Sequence, residues 1–252
     1  TSGTTYYIKA CKSGDNSLCS SISKYIVKTD KTTPIITVTG DSTEWKPSRE
    51  FKIVPDSVSG IDYYEYYVTD WEFEPTEEDT VKTTTSNTIK ISDPGKFVYI
   101  RAVNKVNNKS EWKLYNLYVD PYEPTGMRIT ASDNKISGEW HQKFSLIVSD
   151  ASAISGVDYY YSTTSSDKSS INTLIPTKDE VSSIEFATNT SNTPVYIIAC
   201  NKAKVCTDPT KYIVKVDISV PTVPTISTGI SSCTNNWNTS RKVTLTSTSS
   251  SI

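Results

Sequence analysis

The chain has 252 residues, with 26 Lys and Arg against 28 Asp and Glu, and a formal net charge of −2. A balance so near neutral offers no basic footprint for nucleic acid or an anionic membrane surface, and no run of 18 apolar residues is present to span a bilayer. A single histidine, His141, removes most pairings of a nucleophile with its general base.

In chain order, residues 5–30 (TYYIKACKSGDNSLCSSISKYIVKTD) read as two strands joined by a polar connection, rich in the β-branched and aromatic side chains that suit a pleated surface. Strands are then expected at 36–40, 49–55, 61–69, 87–92, 96–104 and 111–119, with 70–86 a polar loop or ragged edge strand. A further series follows in MRITAS, QKFSLIVSD, VDYYYSTT, SSIEFAT, VYIIACN and KYIVKV. The opening hairpin thus returns at 97–120 and 194–217, each copy closing on an aspartate. Asp30, Asp120 and Asp217 lie 90 and 97 residues apart, each is followed four residues later by proline, and past each proline comes a tryptophan: Trp45, Trp140 and Trp237.

Repetition is sought first because it decides the architecture. A period of 90–97 residues is too long for a solenoid and close to the roughly 100 residues of an immunoglobulin-type sandwich. The expectation is an all-β array of immunoglobulin-like or fibronectin III-like β-sandwich domains with antiparallel connections throughout. Its limits are 1–33 for the C-terminal part of a truncated domain, 34–121 and 122–221 for complete domains, and 222–252 for the N-terminal part of another. The chain is accordingly expected to be an excerpt of a longer array, whose incomplete ends cannot bury their apolar faces alone.

The unit carries an apolar strand ending in Asp56 or Asp150, then SG and Ile or Val before a Tyr-rich strand, then VYIxA with Asn and Lys, then Asp-x-x-x-Pro. In this it resembles the immunoglobulin-like tandem repeats of bacterial surface proteins and, more distantly, fibronectin type III. It departs from the latter at Lys96 and Thr193, where a tyrosine would precede the alanine by six residues. The resemblance implies a secreted or cell-surface stalk projecting an adhesive or catalytic module.

Cysteines carry the sharpest chemistry. In the hairpin, Val98, Ile100 and Ala102 share one face, and Tyr99, Arg101 and Val103 the other. Lys9 and Arg101 mark the second face as the solvent side, and Cys11 and Cys200 fall on it at the position of Val103, so a cross-core bridge is excluded. Their partners are then Cys19 and Cys206, across the same turn, each closure removing roughly 2–2.5 kcal/mol of unfolded-chain entropy. Reduced thiols are the rival reading, and zinc lacks the four ligands it needs. Disulfides place the protein in an oxidising, extracellular compartment. Cys233 remains, with a partner expected beyond residue 252 and a free thiol as the alternative.

Sixteen tyrosines form the one candidate ligand face. With Tyr64 and Tyr66 inward, Tyr63, Tyr67 and Tyr99 line the outer side of one sheet, and Tyr159, Tyr161 and Tyr196 are their expected counterparts. Such a platform suits stacking on a glycan or anchoring a host protein, and the plainer reading is cross-strand aromatic pairing. The recurrent tryptophans read as core plugs. Asp30, Asp120 and Asp217 read as turn residues, with calcium at the junctions the lesser alternative. Adjacent Glu77, Glu78 and Asp79 sit in a polar loop, and no GxSxG, HExxH or phosphate-binding glycine loop occurs. The sequons at 108–110, 189–191 and 238–240 matter only in a glycosylating host. No enzyme, metal or cofactor is expected. The expected function is that of a stalk or spacer of a bacterial surface or secreted protein, an adhesin above all. The alternatives are repeats that themselves bind a glycan or host protein, or accessory modules of an extracellular hydrolase.

Overall fold

A computed structural model describes residues 3–227 and 244–246. The chain divides into two compact units, Thr1–Tyr122 and Glu123–Ile252. In the first, β1 (Thr4–Ile8) pairs with β4 (Ser23–Val27), and β2 (Cys11–Lys12) with β3 (Asp15–Cys19), as one elaborated hairpin. It is followed by β5 (Ile35–Thr39), β6 (Arg49–Asp56), β7 (Ile61–Thr69), β8 (Lys82–Thr84), β9 (Thr88–Ile91), β10 (Gly95–Asn104) and β11 (Lys113–Val119). These seven strands make two sheets, β5-β6-β9 and β11-β10-β7-β8, facing one another across a core. Phe51, Ile53, Ile89 and Ile91 come from the first sheet; Tyr64, Val98, Ile100, Ala102, Leu117 and Val119 come from the second. Alternate residues of each strand point inward because side chains on a strand repeat with period two.

The second unit repeats the scheme. Its strands are β12 (Arg128–Ala131), β13 (Trp140–His141), β14 (Phe144–Ser149), β15 (Val157–Ser162), β16 (Thr173–Leu174), β17 (Thr177–Lys178), β18 (Val181–Phe186), β19 (Thr190–Asn201) and β20 (Thr210–Val216). The sheets β12-β14-β18-β17 and β13-β20-β19-β15-β16 enclose Phe144, Leu146, Val148, Val195, Ile197, Val214 and Val216. A final pair, β21 (Thr225–Ser227) and β22 (Thr244–Thr246), lies beyond. Trp237, Cys233 and the third sequon fall outside the described residues.

The hairpin copies share one register: Tyr6 faces Tyr25, Val98 faces Tyr115, and Val195 faces Tyr212. The expectation of antiparallel pairing throughout is corrected at one place in each unit. Lys46 bridges Val119 in parallel, and β13 runs parallel to the end of β20. After β5 the chain leaves its first sheet and crosses to the edge of the other, where the Lys46 amide donates to the Tyr118 carbonyl at 3.0 Å. Gly40 begins this crossing at φ +116°, and an added Cβ would stand 2.2 Å from the Glu50 carbonyl oxygen, so only glycine fits.

The register of the tyrosine strands is corrected too. In β7 Val103 faces Tyr63 and Asn104 faces Ile61, so Asp62 is an extra, bulged residue. In β15 no bulge occurs: Cys200 faces Asp158 and Ala199 faces Tyr159. One residue of slip exchanges the faces of a strand. Tyr159 and Tyr161 therefore pack against the inner core, as Tyr64 and Tyr66 do, while Tyr160 turns outward. The Tyr159 hydroxyl accepts the Ala151 amide at 3.1 Å, giving the half-buried ring a polar anchor. Tyr159→Ala and Tyr161→Ala are each expected to lower unfolding free energy by about 2–4 kcal/mol, read from urea denaturation of the full chain; a loss below about 0.5 kcal/mol for either would place it back on the surface.

Candidate functional site

Both expected disulfides are formed, Cys11–Cys19 with S–S 2.05 Å and Cys200–Cys206 with S–S 2.00 Å. Each closes the hairpin at a paired position, and Val103 and Lys109 form the same antiparallel bridge in the intervening copy. There the staple is ionic. Arg101 Nε donates to Glu65, Lys109 Nζ lies 3.0 Å from the other carboxylate oxygen, and the Arg101 guanidinium rests 4.1 Å over the Trp112 ring. Burial raises the Glu65 pKa and the two cations outweigh it, leaving the carboxyl below its ordinary value.

Next to every staple stands a hydroxyl that the sequence reading passed over. Ser20, Ser110 and Thr207 each accept the amide of the alanine opposite, at 3.0, 3.0 and 3.1 Å, while their own amides donate to that alanine's carbonyl. The signal was legible as a Ser or Thr directly after Cys19, Lys109 and Cys206. Asn104 and Asn201 were missed likewise. Their side-chain carbonyls accept the amides of Val106 and Asn108, and of Val205, and so hold the hairpin tips closed.

The first tip also holds the linker. The Asp30 carboxylate accepts the Thr32 amide at 2.9 Å and hydroxyl at 2.6 Å, the Ser59 amide at 3.1 Å, and the Asn104 side-chain amide at 3.1 Å. Asn108 donates to the Asp30 carbonyl at 3.2 Å and the Thr32 carbonyl at 3.0 Å. Pro34 is buried at the end of this segment. Residues 30–34 are thus fastened to both loops at one end of the sandwich, and Asn108, a sequon position, has its amide nitrogen engaged in doing so. The Thr32 hydroxyl and amide, with the Ser59 amide adding to them, pull the Asp30 carboxyl down to about 2. Asp217 makes the same local turn with the Ser219 amide at 2.9 Å, and its carboxyl is held below its ordinary value by the Ser219 hydroxyl and amide. The turn reading of these aspartates is what the hydrogen bonds describe.

The tyrosine platform does not assemble. Tyr99 is buried, and Tyr63 and Tyr67 are half-buried. The segment after β7 turns back over this face: Tyr67 donates its hydroxyl to Asp79 at 2.9 Å, and burial first, then Glu74 and Glu72, raise the Tyr99 phenol above its ordinary value. In the other unit Tyr160 and Tyr196 share a small second core with Ile171, Ile198, Cys200 and Cys206. The expectation that this face is solvent-side is therefore corrected: Val103 and Cys200 are buried, and only Cys11, on the isolated hairpin, is exposed. The tryptophans differ as well. Trp45 makes an edge contact with Tyr118 at 5.0 Å, whereas Trp140 is largely open, with Lys215 over its ring at 5.9 Å. His141, not Trp140, fills the core there, stacked 3.8 Å from Phe144 with Nδ1 on the Asp133 carboxylate at 2.9 Å.

These features define a class: an all-β chain of tandem two-sheet sandwiches. No protein-family model and no curated protein matches it. Among solved structures it is similar to the chicken CNTN1 FN1-FN3 domains, at 15% identity and TM-score 0.33, covering 84% of this chain and 77% of that one. It is similar also to the Clostridium thermocellum CbhA fibronectin(III)-like modules, at 17% identity and TM-score 0.29 over 72% and 95%. A third is the S-layer protein SbsC, domains 7, 8 and 9, at 14% identity and TM-score 0.25 over 87% and 72%. At such values the sheets and their registers are what assign the fold. No helix among the described residues is long and apolar enough to cross a membrane.

Cys200→Ala/Cys206→Ala is expected to cost about 2 kcal/mol of stability, checked by denaturant titration of wild type and variant, with the wild type under reducing conditions falling to match. For Asp30, a folded pKa of about 2 against an ordinary 3.8 means that its contribution is complete above 3.8 and is lost as pH falls through about 2. Carboxyl NMR titration should give that midpoint, and a normal one would dissolve the clasp.

Proposed function

We propose that this chain is a non-catalytic stretch of immunoglobulin-like repeats serving as the stalk or spacer of a bacterial cell-surface or secreted protein, an adhesin in its most specific form, with domain limits at 1–33, 34–121, 122–221 and 222–252. The observation that carries the reading is the linker clasp. A spacer transmits position only when its joints resist bending, and a joint of five residues tied by its carboxylate, two carbonyls and a buried proline has lost most of the backbone freedom a flexible linker keeps. The ionic staple supports the same reading, because Glu65, Arg101 and Lys109 stand at the base of the 104–108 tip that the linker meets. An extracellular setting is consistent with two formed disulfides. The absence of catalysis is inferred from the lone histidine, whose ring is fully buried and engaged by Asp133.

Asp30→Ala combined with Asn108→Ala is expected to free the hairpin 4–27 from the sandwich 35–119. Backbone nitrogen relaxation should then report a lower order parameter across residues 28–34 and separate tumbling of the two parts. Unchanged relaxation in the double variant would remove the clasp as the source of stiffness, and with it the spacer reading.

A further inference from the structure

Residues 70–79, DWEFEPTEED, present Trp71 and Phe73 at 69% and 77% exposure, among the most open large apolar side chains of the molecule. Exposed aromatics of this size on one short loop mark interaction surfaces more often than they serve the fold. The sister repeat supplies the internal control. Its segment after β15, TTSSDKSSIN, carries no aromatic residue, and it covers its own sheet by turning Ile171 inward. The sandwich therefore does not need Trp71 or Phe73 for closure.

The loop is held in place. The Trp71 amide donates to the Thr69 hydroxyl at 3.1 Å, and Asp79 ties the far end by accepting the Thr76 amide at 2.7 Å, the Thr76 hydroxyl at 2.9 Å and the Tyr67 hydroxyl at 2.9 Å. The two rings are thus offered on a segment anchored at both ends, which lowers the ordering cost of binding. Flanking them in the sequence are Asp70, Glu72, Glu74, Glu77 and Glu78, none of them in an ion pair among the described residues, and no Lys or Arg occurs between Lys52 and Lys82. The cations that share a cavity with Glu77 and Asp79, Arg101 and Lys109, are both engaged by Glu65. In a chain of net charge −2 this is a concentrated negative surface. The faces of Trp and Phe attract cations, and interleaved carboxylates add to that attraction. A neutral sugar would gain nothing from the carboxylates, and an anionic membrane or nucleic acid would be repelled.

We propose that the Trp71–Phe73 loop is a docking surface for a Lys- or Arg-rich polypeptide segment. This goes beyond the spacer reading and does not depend on it, since the loop lies away from the clasp residues in sequence and shares no hydrogen bond with them. The test titrates the full chain with oligolysine and oligoarginine peptides by calorimetry, alongside a neutral oligosaccharide. Saturable peptide binding is expected, weakened about tenfold by Trp71→Ala/Phe73→Ala, weakened also by Glu72→Gln/Glu74→Gln, and falling steeply as salt rises from about 0.05 to about 0.5 M. The proposal is overturned by no peptide binding, by binding that the aromatic double variant leaves unchanged, or by Trp71-dependent binding of the oligosaccharide alone. Both pairs are exposed, so their unfolding midpoints should match the wild type and the comparison stays interpretable.

Discussion

Everything in each sandwich is arranged around a central strand buried on both faces. In β10, Val98, Ile100 and Ala102 enter the core while Tyr99 and Val103 are sealed on the opposite side. In β19, Val195, Ile197 and Ala199 go inward while Ile198 and Cys200 are sealed outside. A strand in that position leaves none of its backbone groups to water, so its ladders on both sides must be complete. β7 and β11 complete them in one unit, β15 and β20 in the other. The hairpin 4–27 shows the converse. Its ladder has the same register, yet Ile8, equivalent to buried Ile100 and Ile197, and Tyr25, equivalent to half-buried Tyr115 and buried Tyr212, stand 61% and 65% exposed because no second sheet covers them.

The outer cover is where the two units part company. One closes its outer face with an acidic loop pinned through Asp79, the other with Ile171 and a disulfide. Staple chemistry follows the same division. A disulfide at Cys200–Cys206 and a Glu65–Arg101–Lys109 cluster beside Val103–Lys109 both hold the hairpin tip, by a covalent bond in one case and charge pairing in the other. The ionic version places three charged groups where the disulfide copy needs none, and it leaves Arg101 free to lie over Trp112.

The ordering of the 30–34 linker is then a consequence of the 104–108 tip. The Asn104 side chain both shapes the turn and reaches the linker, and Asn108 joins the turn through its backbone and the linker through its side chain, so whatever orders this hairpin also orders the connection before it. The repeat unit and the joint are one piece of chemistry.

Fold class, repeat period, strand positions and both disulfide pairs were legible in the amino-acid sequence, because each depends on local alternation or on comparing copies. β7 at 61–69 and the bridge between Cys200 and Cys206 needed nothing more. The tertiary structure alone decided which way Tyr159 and Tyr161 face, since a single bulged residue, Asp62, changes register without changing the pattern of residue types. It alone decided that the outer tyrosines are covered, that the chain crosses between sheets at Gly40, and that Asp30 reaches Ser59 and Asn104. Those outcomes depend on contacts between residues distant in sequence, and a strand's alternation says which residues share a face but not what will come to lie on it.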